Sequence, residues 1–461
     1  MLRVVLLLLF ALPVAAQAPV YVLLWFDTED YVEPAADDAA LRLADDLDRL
    51  GVRATFKVVG EKARMLELRN RRDVIRALAR HDIGYHSNFH SIPPAPAVYL
   101  RQLGLLEGAA EFERREASGV ADLRRLFGQH PSCYGQPGSS WGPQSNLALR
   151  RLGVPVYLDE GSQVGVDNQP FWYGGLLYIF RMGPFLIRPN INDETRLEET
   201  LRRFDQAAAQ LAQRGGGVIS TYYHPTEFVT TEFWDGVNFS RGANPERRDW
   251  KLPRRRTPED SERAYRILRR YVEYAKSRPN VRLVTARELL ALYDDPHPPQ
   301  LDRRRVSLHL AARQTWLVQG RWTYSAADLL LTLLGVEPQH VDGPAERRPT
   351  TWRDATLPRP AFERASADVA AFIRRHHRLP SVAWVGSESL SLPDFTATLA
   401  ADEGAGPTVQ LRPGNPEFET AFSTDPAGSF NWAIHPEGFR APELLDLGRL
   451  QGWTLKPARL R

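Results

Sequence analysis

Strand-like and helix-like segments alternate along the first part of this chain, and this alternation limits its possible folds more than any other feature. Residues 20–26 form an apolar run between polar neighbours, which predicts a buried strand. Residues 37–50 show helical spacing, and residues 54–59 again have the pattern of a strand. A helical segment at 62–80 and a strand at 82–85 follow. The order is that of repeated β-α units.

The same alternation continues to about residue 290. Further strands are predicted at 132–134, 155–158, 217–223 and 281–284, and helices at 98–127, 146–152, 194–214 and 258–277. Repeated β-α units favour a parallel sheet, so we expect an α/β fold whose sheet closes, or nearly closes, into a distorted (β/α) barrel. In such barrels the functional groups collect at the C-terminal ends of the strands.

The chain is long enough for two domains. It has 461 residues, more than one core normally contains. The sequence Asp-Asp-Pro-His-Pro-Pro at 294–299 interrupts the alternation, so we predict a barrel over residues 19–295 and a smaller mixed α/β domain over residues 300–461. In the second domain we expect helices at 326–334 and 361–376, a strand at 382–385 and a helix that begins near Pro393.

The N-terminus and the overall charge bear on where the protein acts. Residues 1–18 combine a short basic start, an apolar run and small residues, which is typical of a secretory signal peptide; an uncleaved membrane anchor is the alternative. We therefore expect a secreted, periplasmic or cell-envelope protein. Cys133 is the sole cysteine, so no intramolecular disulfide can form. The 59 basic and 56 acidic residues leave a net charge of +3, which offers no general attraction for nucleic acid.

Polar residues with metal-binding chemistry follow three of the predicted strands. His86 and His90 stand four positions apart after the strand at 82–85, a spacing at which two imidazoles in a helical turn can share one divalent ion. Asp27, Glu29 and Asp30 crowd the end of the first strand, where a cation would relieve their mutual repulsion. A helix N-terminal cap is the alternative for the acidic group, and it suits Asp30 better than Asp27.

His224 ends the strand at 217–223 and is followed by a proline that ends the strand there. The histidine is therefore expected at the same face of the barrel as the other polar residues. A single histidine at a strand end is usually structural, but a third one at the same rim favours a functional site.

In this order, the motifs resemble those of the polysaccharide deacetylase (NodB homology) family, carbohydrate esterase family four. The matching segments are Phe-Asp-Thr-Glu at 26–29, His-Ser-Asn-Phe-His at 86–90 and Ile-Ser-Thr-Tyr-Tyr-His at 219–224. The resemblance covers roughly residues 20–290, and the paired-histidine motif is its most specific part. Because the acids are spaced as Asp-x-Glu-Asp, the chain is similar to the spaced-acid branch of the family.

The resemblance implies a role for each of these residues. His86, His90 and a carboxylate, either Glu29 or Asp30, would hold a divalent metal, and zinc is the expected ion. Asp27 would act as the base that takes a proton from water, and His224 would donate a proton to the departing amine.

The resemblance also implies a substrate-binding segment, where this chain departs from the family pattern. Residues 134–138, Tyr-Gly-Gln-Pro-Gly, would place Tyr134 and Pro137 beside the substrate, with a backbone N–H near Tyr134 stabilising the oxyanion. Gly135 stands where the family has an arginine that braces the base. Three explanations of this glycine are open: another arginine takes over the role, this branch of the family works differently, or activity is impaired. Asp159 matches a later acidic segment loosely, and Trp234 is the expected sugar contact.

The resemblance and the predicted signal peptide together imply a secreted metal-dependent hydrolase that removes N-acetyl groups from an amino-sugar polysaccharide or peptidoglycan. One alternative keeps the fold and opens cyclic amides of small molecules. Another is a glycan-binding protein that has lost turnover, which the glycine at position 135 motivates. Residues 300–461 faintly resemble cell-wall-binding repeats, so contact with a cell wall or envelope is expected there, with packing or dimerisation as the alternative.

Overall fold

A computed structural model of the chain describes residues 18–293 and 298–461. The predicted signal peptide, apart from its last residue, and residues 294–297 of the predicted domain boundary lie outside the described residues. In the part that is described, no helix is both long and apolar enough to cross a membrane.

One large sheet organises the first part of the chain. It has ten strands in the order β16-β6-β7-β5-β4-β3-β2-β1-β8, and β9 also pairs with β1. The strands are β1 Val20–Thr28, β2 Thr55–Val58, β3 Asp82–Tyr85, β4 Cys133–Tyr134, β5 Val156–Leu158, β6 Phe171–Tyr173, β7 Leu176–Ile179, β8 Gly217–Tyr223, β9 Val281–Val284 and β16 Lys456–Pro457.

Strand β1 pairs with three other strands of this sheet, and every one of its nine residues is buried. Residues 20–26 pair in parallel with β8, while residues 20–23 also pair with β9 and residues 25–28 with β2. Buried on both faces, β1 has the continuous apolar sequence expected of a central parallel strand. Residues directly after β1, β2, β3 and β8 therefore meet at one edge of the sheet.

The sheet curves into an incomplete barrel. Strands β1 to β5, β7, β8 and β9 run parallel, whereas β6 and β16 run antiparallel to their neighbours. Leu186, which comes after β7 in the chain, pairs with Ser220 of β8 in a single parallel β-bridge. A closed barrel would have a full strand at this position. The predicted α/β class and distorted (β/α) barrel are confirmed.

Ten α-helices surround this sheet in residues 18–293. They are α1 Ala35–Arg49, α2 Gly60–Leu68, α3 Arg72–Leu78, α4 Pro96–Leu100, α5 Leu105–Phe127, α6 Gln144–Arg151, α7 Leu197–Gln213, α8 Trp234–Asn238, α9 Pro258–Lys276 and α10 Ala286–Leu292. The helix predicted over 62–80 is two helices, because Asn70 between them adopts a positive φ of 54°. The helix predicted over 98–127 is likewise divided, with Gly104 at the N-terminus of the longer piece.

Residues 298–461 add a second, smaller apolar core. The helices are α11 Arg303–Ala312, α12 Ala326–Leu333, α13 Arg359–His376, α14 Leu392–Ala401 and α15 Pro442–Gln451, and the short strands are β10 Leu317–Gln319, β11 Trp322–Tyr324, β12 Thr356–Pro358, β13 Val382–Val385, β14 Glu388–Ser391 and β15 Thr408–Gln410. The three pairs β10-β11, β12-β15 and β13-β14 are all antiparallel. This mixed α/β composition agrees with the expectation for this part of the chain.

The C-terminal residues divide between the two cores in a way that the sequence did not indicate. Phe418 and Trp453 pack in the second core, but Phe422, Leu445 and Leu455 belong to the first. Strand β16 then adds to the edge of the large sheet beside β6. Apolar residues from Phe422 onward therefore contribute to the first core, although Trp453 among them belongs to the second.

Shortening Leu455 should destabilise the barrel. Its side chain is 0% exposed in the first core, so Leu455→Ala is expected to lower the free energy of unfolding by about 2–5 kcal/mol. Leu308→Ala is the control, because Leu308 is 67% exposed and its truncation should cost within about 0.5 kcal/mol. Urea unfolding followed by circular dichroism measures both. Equal changes in the two variants would contradict the packing of the C-terminal segment against the barrel.

Candidate active site

A cavity of about 440 Å³ opens at the C-terminal ends of the parallel strands. Strand β1 delivers Asp27 and then Glu29, and His86 follows β3 directly. Asp159 follows β5, and His224 follows β8. All five side chains, together with His90, line the cavity. The expectation that these distant segments meet at one rim of the barrel agrees with this geometry.

Glu29, His86 and His90 form a compact group with the donor atoms of a metal site. Glu29 Oε2 lies 3.1 Å from His86 Nε2 and 2.9 Å from His90 Nε2. One ligand atom from each of the three residues lies within 4.8 Å of the others. All three side chains are buried. Two imidazole nitrogens and one carboxylate oxygen suit a divalent ion such as zinc, with coordination positions left open.

The two histidines reach this position from a loop and not from the helical turn suggested by their spacing. Ser87 and His90 both have positive φ angles, 62° and 56°. The Ser87 hydroxyl accepts the backbone N–H of His90 at 3.0 Å, which holds the loop closed. Buried Glu116 also accepts the backbone N–H of Asn88 at 2.8 Å. The loop is therefore fixed from within and from α5.

The hydrogen bonds of the outer ring nitrogens orient both imidazoles. His86 Nδ1–H donates to the carbonyl oxygen of Gly135 at 3.1 Å, which leaves Nε2 as the lone-pair nitrogen. His90 Nδ1 lies 2.6 Å from the Ser91 hydroxyl. His90 Nε2 is buried and lies 2.9 Å from Glu29 Oε2. A ring nitrogen and a carboxylate oxygen that meet in the interior fit two ligands of one cation.

Electrostatics favour a cation at the same point. Burial alone would raise the pKa of Glu29, but the positive charges of His90 and His224 outweigh it and hold that pKa well below its usual value. Burial lowers the pKa of His86, so the neutral, metal-binding form is favoured. For His90, burial is outweighed by the charge of Glu29, which raises its pKa. The negative charge that attracts a proton to His90 would equally attract a metal ion.

Asp27 lies between this group and His224. Its Oδ1 is 3.6 Å from His86 Nε2, and its Oδ2 is 3.7 Å from His224 Nε2. The ammonium group of Lys57 forms an ion pair with Asp27 Oδ1 at 2.8 Å. Asp27 is thus near Glu29, His86 and His90 without belonging to their set, and its carboxylate reaches the cavity.

His224 is held in its charged form by its neighbours. Its Nδ1 lies 2.6 Å from Glu227 Oε1, and Glu227 also pairs with Arg188. Burial lowers the pKa of His224, but the negative charges of Glu29, Glu227 and Asp27 outweigh this and raise it to about 9. At neutral pH the imidazole is therefore protonated, with Nε2 toward the cavity side and Asp27.

Four of the predicted site residues take other roles. Asp30 Oδ1 accepts the backbone N–H groups of Val32 and Glu33 at 2.9 Å each, and Oδ2 accepts the Thr226 hydroxyl, so it caps the turn before α1. The carboxylate of the metal-binding group is therefore that of Glu29, and the expectation for Asp30 is corrected because its oxygens are engaged elsewhere.

Trp234, Tyr134 and Pro137 do not line the cavity. Trp234 is fully buried, and its indole N–H donates to Glu29 Oε1 at 3.1 Å, so it orients the metal-binding carboxylate instead of contacting a sugar. Tyr134 packs in the sheet among aromatic rings such as those of Tyr85 and Tyr157. Trp234 and Tyr134 are thus directed into the protein interior, a direction that the sequence does not show.

The sequence did not predict that residues 429–432 form part of the cavity wall. Ser429, Asn431 and Trp432 line the cavity although they follow the second core in the chain. The backbone N–H of Trp432 donates to Ser139 Oγ at 2.9 Å across a separation of 293 positions, and its indole N–H donates to Asp235 at 2.7 Å. No local pattern around Trp432 indicates this contact. The Glu227 partner of His224 did have a local signal, an acidic residue three positions after the histidine in a capping box.

No protein-family model matches the chain, and no curated protein sequence matches it. Several solved structures are similar at low identity. A chain described as a polysaccharide deacetylase from Mycobacterium smegmatis is 15% identical over 60% of this chain and 91% of its own, with a TM-score of 0.37. A family 4 acetyl xylan esterase from Clostridium thermocellum, in complex with cobalt, is 19% identical over 60% and 93%, with a TM-score of 0.30.

A 4-α-glucanotransferase from Thermococcus litoralis is 12% identical over 63% of this chain and 43% of its own, with a TM-score of 0.41. At TM-scores below 0.5 these similarities carry no argument about what this chain does. The fold and the site therefore rest on the geometry of the chain itself.

Removing the charge of Glu227 should lower the pKa of His224. The wild-type value of about 9 depends on the buried carboxylates around the ring, so Glu227→Gln should lower it by about 1–2 units. Titration of the ring by NMR in histidine-labelled protein, freed of divalent ions by chelation, measures the midpoint. Glu67→Gln, which removes an exposed carboxylate on α2, is the control. A midpoint that stays near the wild-type value would contradict the role of Glu227.

Proposed function

We propose that this chain is an exported, metal-dependent hydrolase of the polysaccharide deacetylase type that removes N-acetyl groups from an amino-sugar glycan. One observation carries the proposal. A two-histidine, one-carboxylate group, an aspartate and a protonated histidine face one cavity at the barrel rim. Hydrolysis of an unactivated amide requires these groups: a metal ion to polarise the carbonyl, a base for the water and an acid for the leaving amine.

Glu29, His86 and His90 would hold the ion, and zinc fits their donor atoms. A divalent ion at this position supplies Lewis acidity, which polarises the amide carbonyl and lowers the pKa of a water molecule. Trp234 and the Gly135 carbonyl fix the orientation of two of the three ligands. The site is thus arranged before substrate arrives.

The remaining residues manage the protons of the reaction. Asp27 takes a proton from the attacking water as its oxygen bonds to the carbonyl carbon. His224 Nε2 donates a proton to the amide nitrogen as the C–N bond breaks, so that acetate and a free amine leave. Asp27 Oδ2 and His224 Nε2 are 3.7 Å apart, and the proton taken by one can return to the other before the next cycle.

The walls of the cavity support a sugar as the substrate. Its volume of about 440 Å³ suits one ring and part of its neighbour. Trp432 and Tyr222 offer apolar ring surface, while Asn431 and Ser429 offer hydrogen bonds for hydroxyl groups. A polysaccharide could continue from the open side of the cavity into solvent. The signal-like residues 1–18 support an extracellular or periplasmic glycan, and residues 300–461 would contact the cell wall or envelope.

Loss of both histidine ligands should abolish metal binding and turnover. Wild-type protein supplied with zinc should hold about one ion per chain, measured by plasma mass spectrometry, and release acetate from N-acetylglucosamine oligomers. The double variant His86→Ala, His90→Ala should hold none and release acetate at least about 10³-fold more slowly, because several kcal/mol of charge stabilisation is lost. His376→Ala, an exposed histidine of α13, is the control.

Two results would contradict the proposal. Wild-type protein that takes up no divalent ion would remove its basis. Protein that binds zinc and opens a cyclic ureide, but releases no acetate from any glycan, would assign the site to ring amides of small molecules instead.

Trp432→Ala should weaken substrate binding. Because the indole ring forms part of the cavity wall, its loss is expected to raise KM for chitooligosaccharides about 10-fold, while zinc content stays unchanged. Trp384→Ala serves as the control, since Trp384 is 53% exposed on the second core. Steady-state acetate release over a range of oligomer concentrations provides KM and kcat. An unchanged KM would show that the C-terminal segment does not contact the substrate.

A further inference from the structure

A buried lysine bridges two carboxylates at the base of the cavity. Lys57, on β2, has a side chain that is 0% exposed. Its ammonium nitrogen lies 2.8 Å from Asp27 Oδ1 and 2.9 Å from Asp159 Oδ2, and it donates to the carbonyl oxygen of Leu158 at 2.8 Å. Burial alone would lower the pKa of Lys57, but the charges of Asp159 and Asp27 outweigh it and raise it. The cation is therefore retained and fully engaged.

The position of this ammonium group explains the glycine at 135. A Cβ atom added to Gly135 would lie 2.0 Å from Lys57 Nζ and 2.6 Å from Asp159 Oδ2. Its φ angle is outside the left-handed region, so space and not backbone conformation excludes a side chain here. The lysine fills the volume that a side chain at position 135 would need.

The sheet register gives Lys57 its path to this point. Asp27 pairs with Lys57 across β1 and β2, and Lys57 pairs with Gly84 across β2 and β3. A Cβ atom on Gly84 would lie 2.9 Å from Lys57 Cγ, so the missing side chain lets the lysine pass over β3. Gly84 on β3 and Gly135 directly after β4 thus leave room for the lysine side chain between β2 and the end of β5.

From this geometry we infer that Lys57 is the positioning residue for the base Asp27. The inference rests on the proposed hydrolase function. Lys57 holds Oδ1 of Asp27, so that Oδ2 remains directed at the cavity and His224. Asp159 shares the same cation, which ties the end of β5 to the end of β1. Lys57 itself does not line the cavity and touches no substrate.

Substitutions at position 57 separate charge from packing. Lys57→Met keeps the length of the side chain but removes the cation, so kcat should fall about 10²- to 10³-fold, while KM and zinc content stay within about twofold. Lys57→Arg, which restores the charge, should recover at least about a tenth of the wild-type kcat. A purely structural lysine would not divide kcat from KM and metal content in this way.

Gly135→Ala tests the same arrangement without altering any charged group. The new methyl group must displace the ammonium, so kcat should fall at least about 10-fold. The kcat is compared per zinc-loaded chain, because the Gly135 carbonyl also accepts the Nδ1–H of His86. Gly104→Ala is the matched control, because an added Cβ there meets nothing within 4 Å. Lys456→Met is a second control, since it removes a buried lysine paired with Asp328 at 3.1 Å on another part of the sheet.

The outcomes distinguish the two proposals. Wild-type protein that lacks bound zinc or acetate release overturns the proposed function. An active, zinc-loaded wild type with unchanged kcat in Lys57→Met or in Gly135→Ala overturns the positioning role alone. If Lys57→Met does not fold, Gly135→Ala decides the question, because it moves the ammonium group without removing any charged side chain.

Discussion

Burial of carboxylates at one end of the barrel is the constraint on which the rest of the site depends. Asp27, Glu29 and Asp159 are all buried at the cavity, and burial alone would raise the pKa of Glu29 and of Asp159. Only a few positively charged side chains of the described residues lie close enough to these carboxylates to offset their burial. Lys57 serves Asp27 and Asp159, while Glu29 is left to two imidazoles and, we propose, a metal ion. Asp159 remains poorly compensated, and burial together with the charge of Asp27 raises its pKa to about 7 despite Lys57.

The barrel could be predicted because its strands are short, apolar and spaced by helices along the chain. The strands at 82–85 and 281–284 have the bounds that the sequence predicted. The hairpin of β6 and β7 was missed, since its aromatic residues follow no helix and run against the β-α pattern, although Gly174-Gly175 marks its turn. Contacts of the C-terminal residues with the first core could not be predicted, because the pattern of a short apolar segment shows that it is buried but not which core it packs against.

The candidate site shows the same division between local and distant information. Glu29, His86 and His224 follow strands directly and His90 belongs to the same motif as His86, so motif order and strand ends were sufficient to group them. Asp30 is next to Glu29 in the chain but binds backbone N–H groups, and Trp234 donates to Glu29 instead of lining the cavity. Lys57 lies within a strand and looks like an interruption of its apolar pattern. Only the register across β1, β2 and β3 shows that its ammonium reaches the space beside Gly135.

The cavity wall comes from two parts of the chain, the strand ends of the barrel and residues 428–432, and these two parts differ in how they are held. Asp27, Glu29 and His224 are fixed by the sheet or by hydrogen bonds at strand ends, where small displacements would cost most in catalysis. Trp432 and Asn431 come from a connection after the second core, which is anchored to the barrel by a few hydrogen bonds and by the apolar residues that follow. Substitutions in that connection could change which glycan is accepted without moving the metal-binding group. The part of the chain after the barrel helices therefore contributes to the proposed active site, because residues 429–432 complete the wall of the cavity in which the reaction would take place.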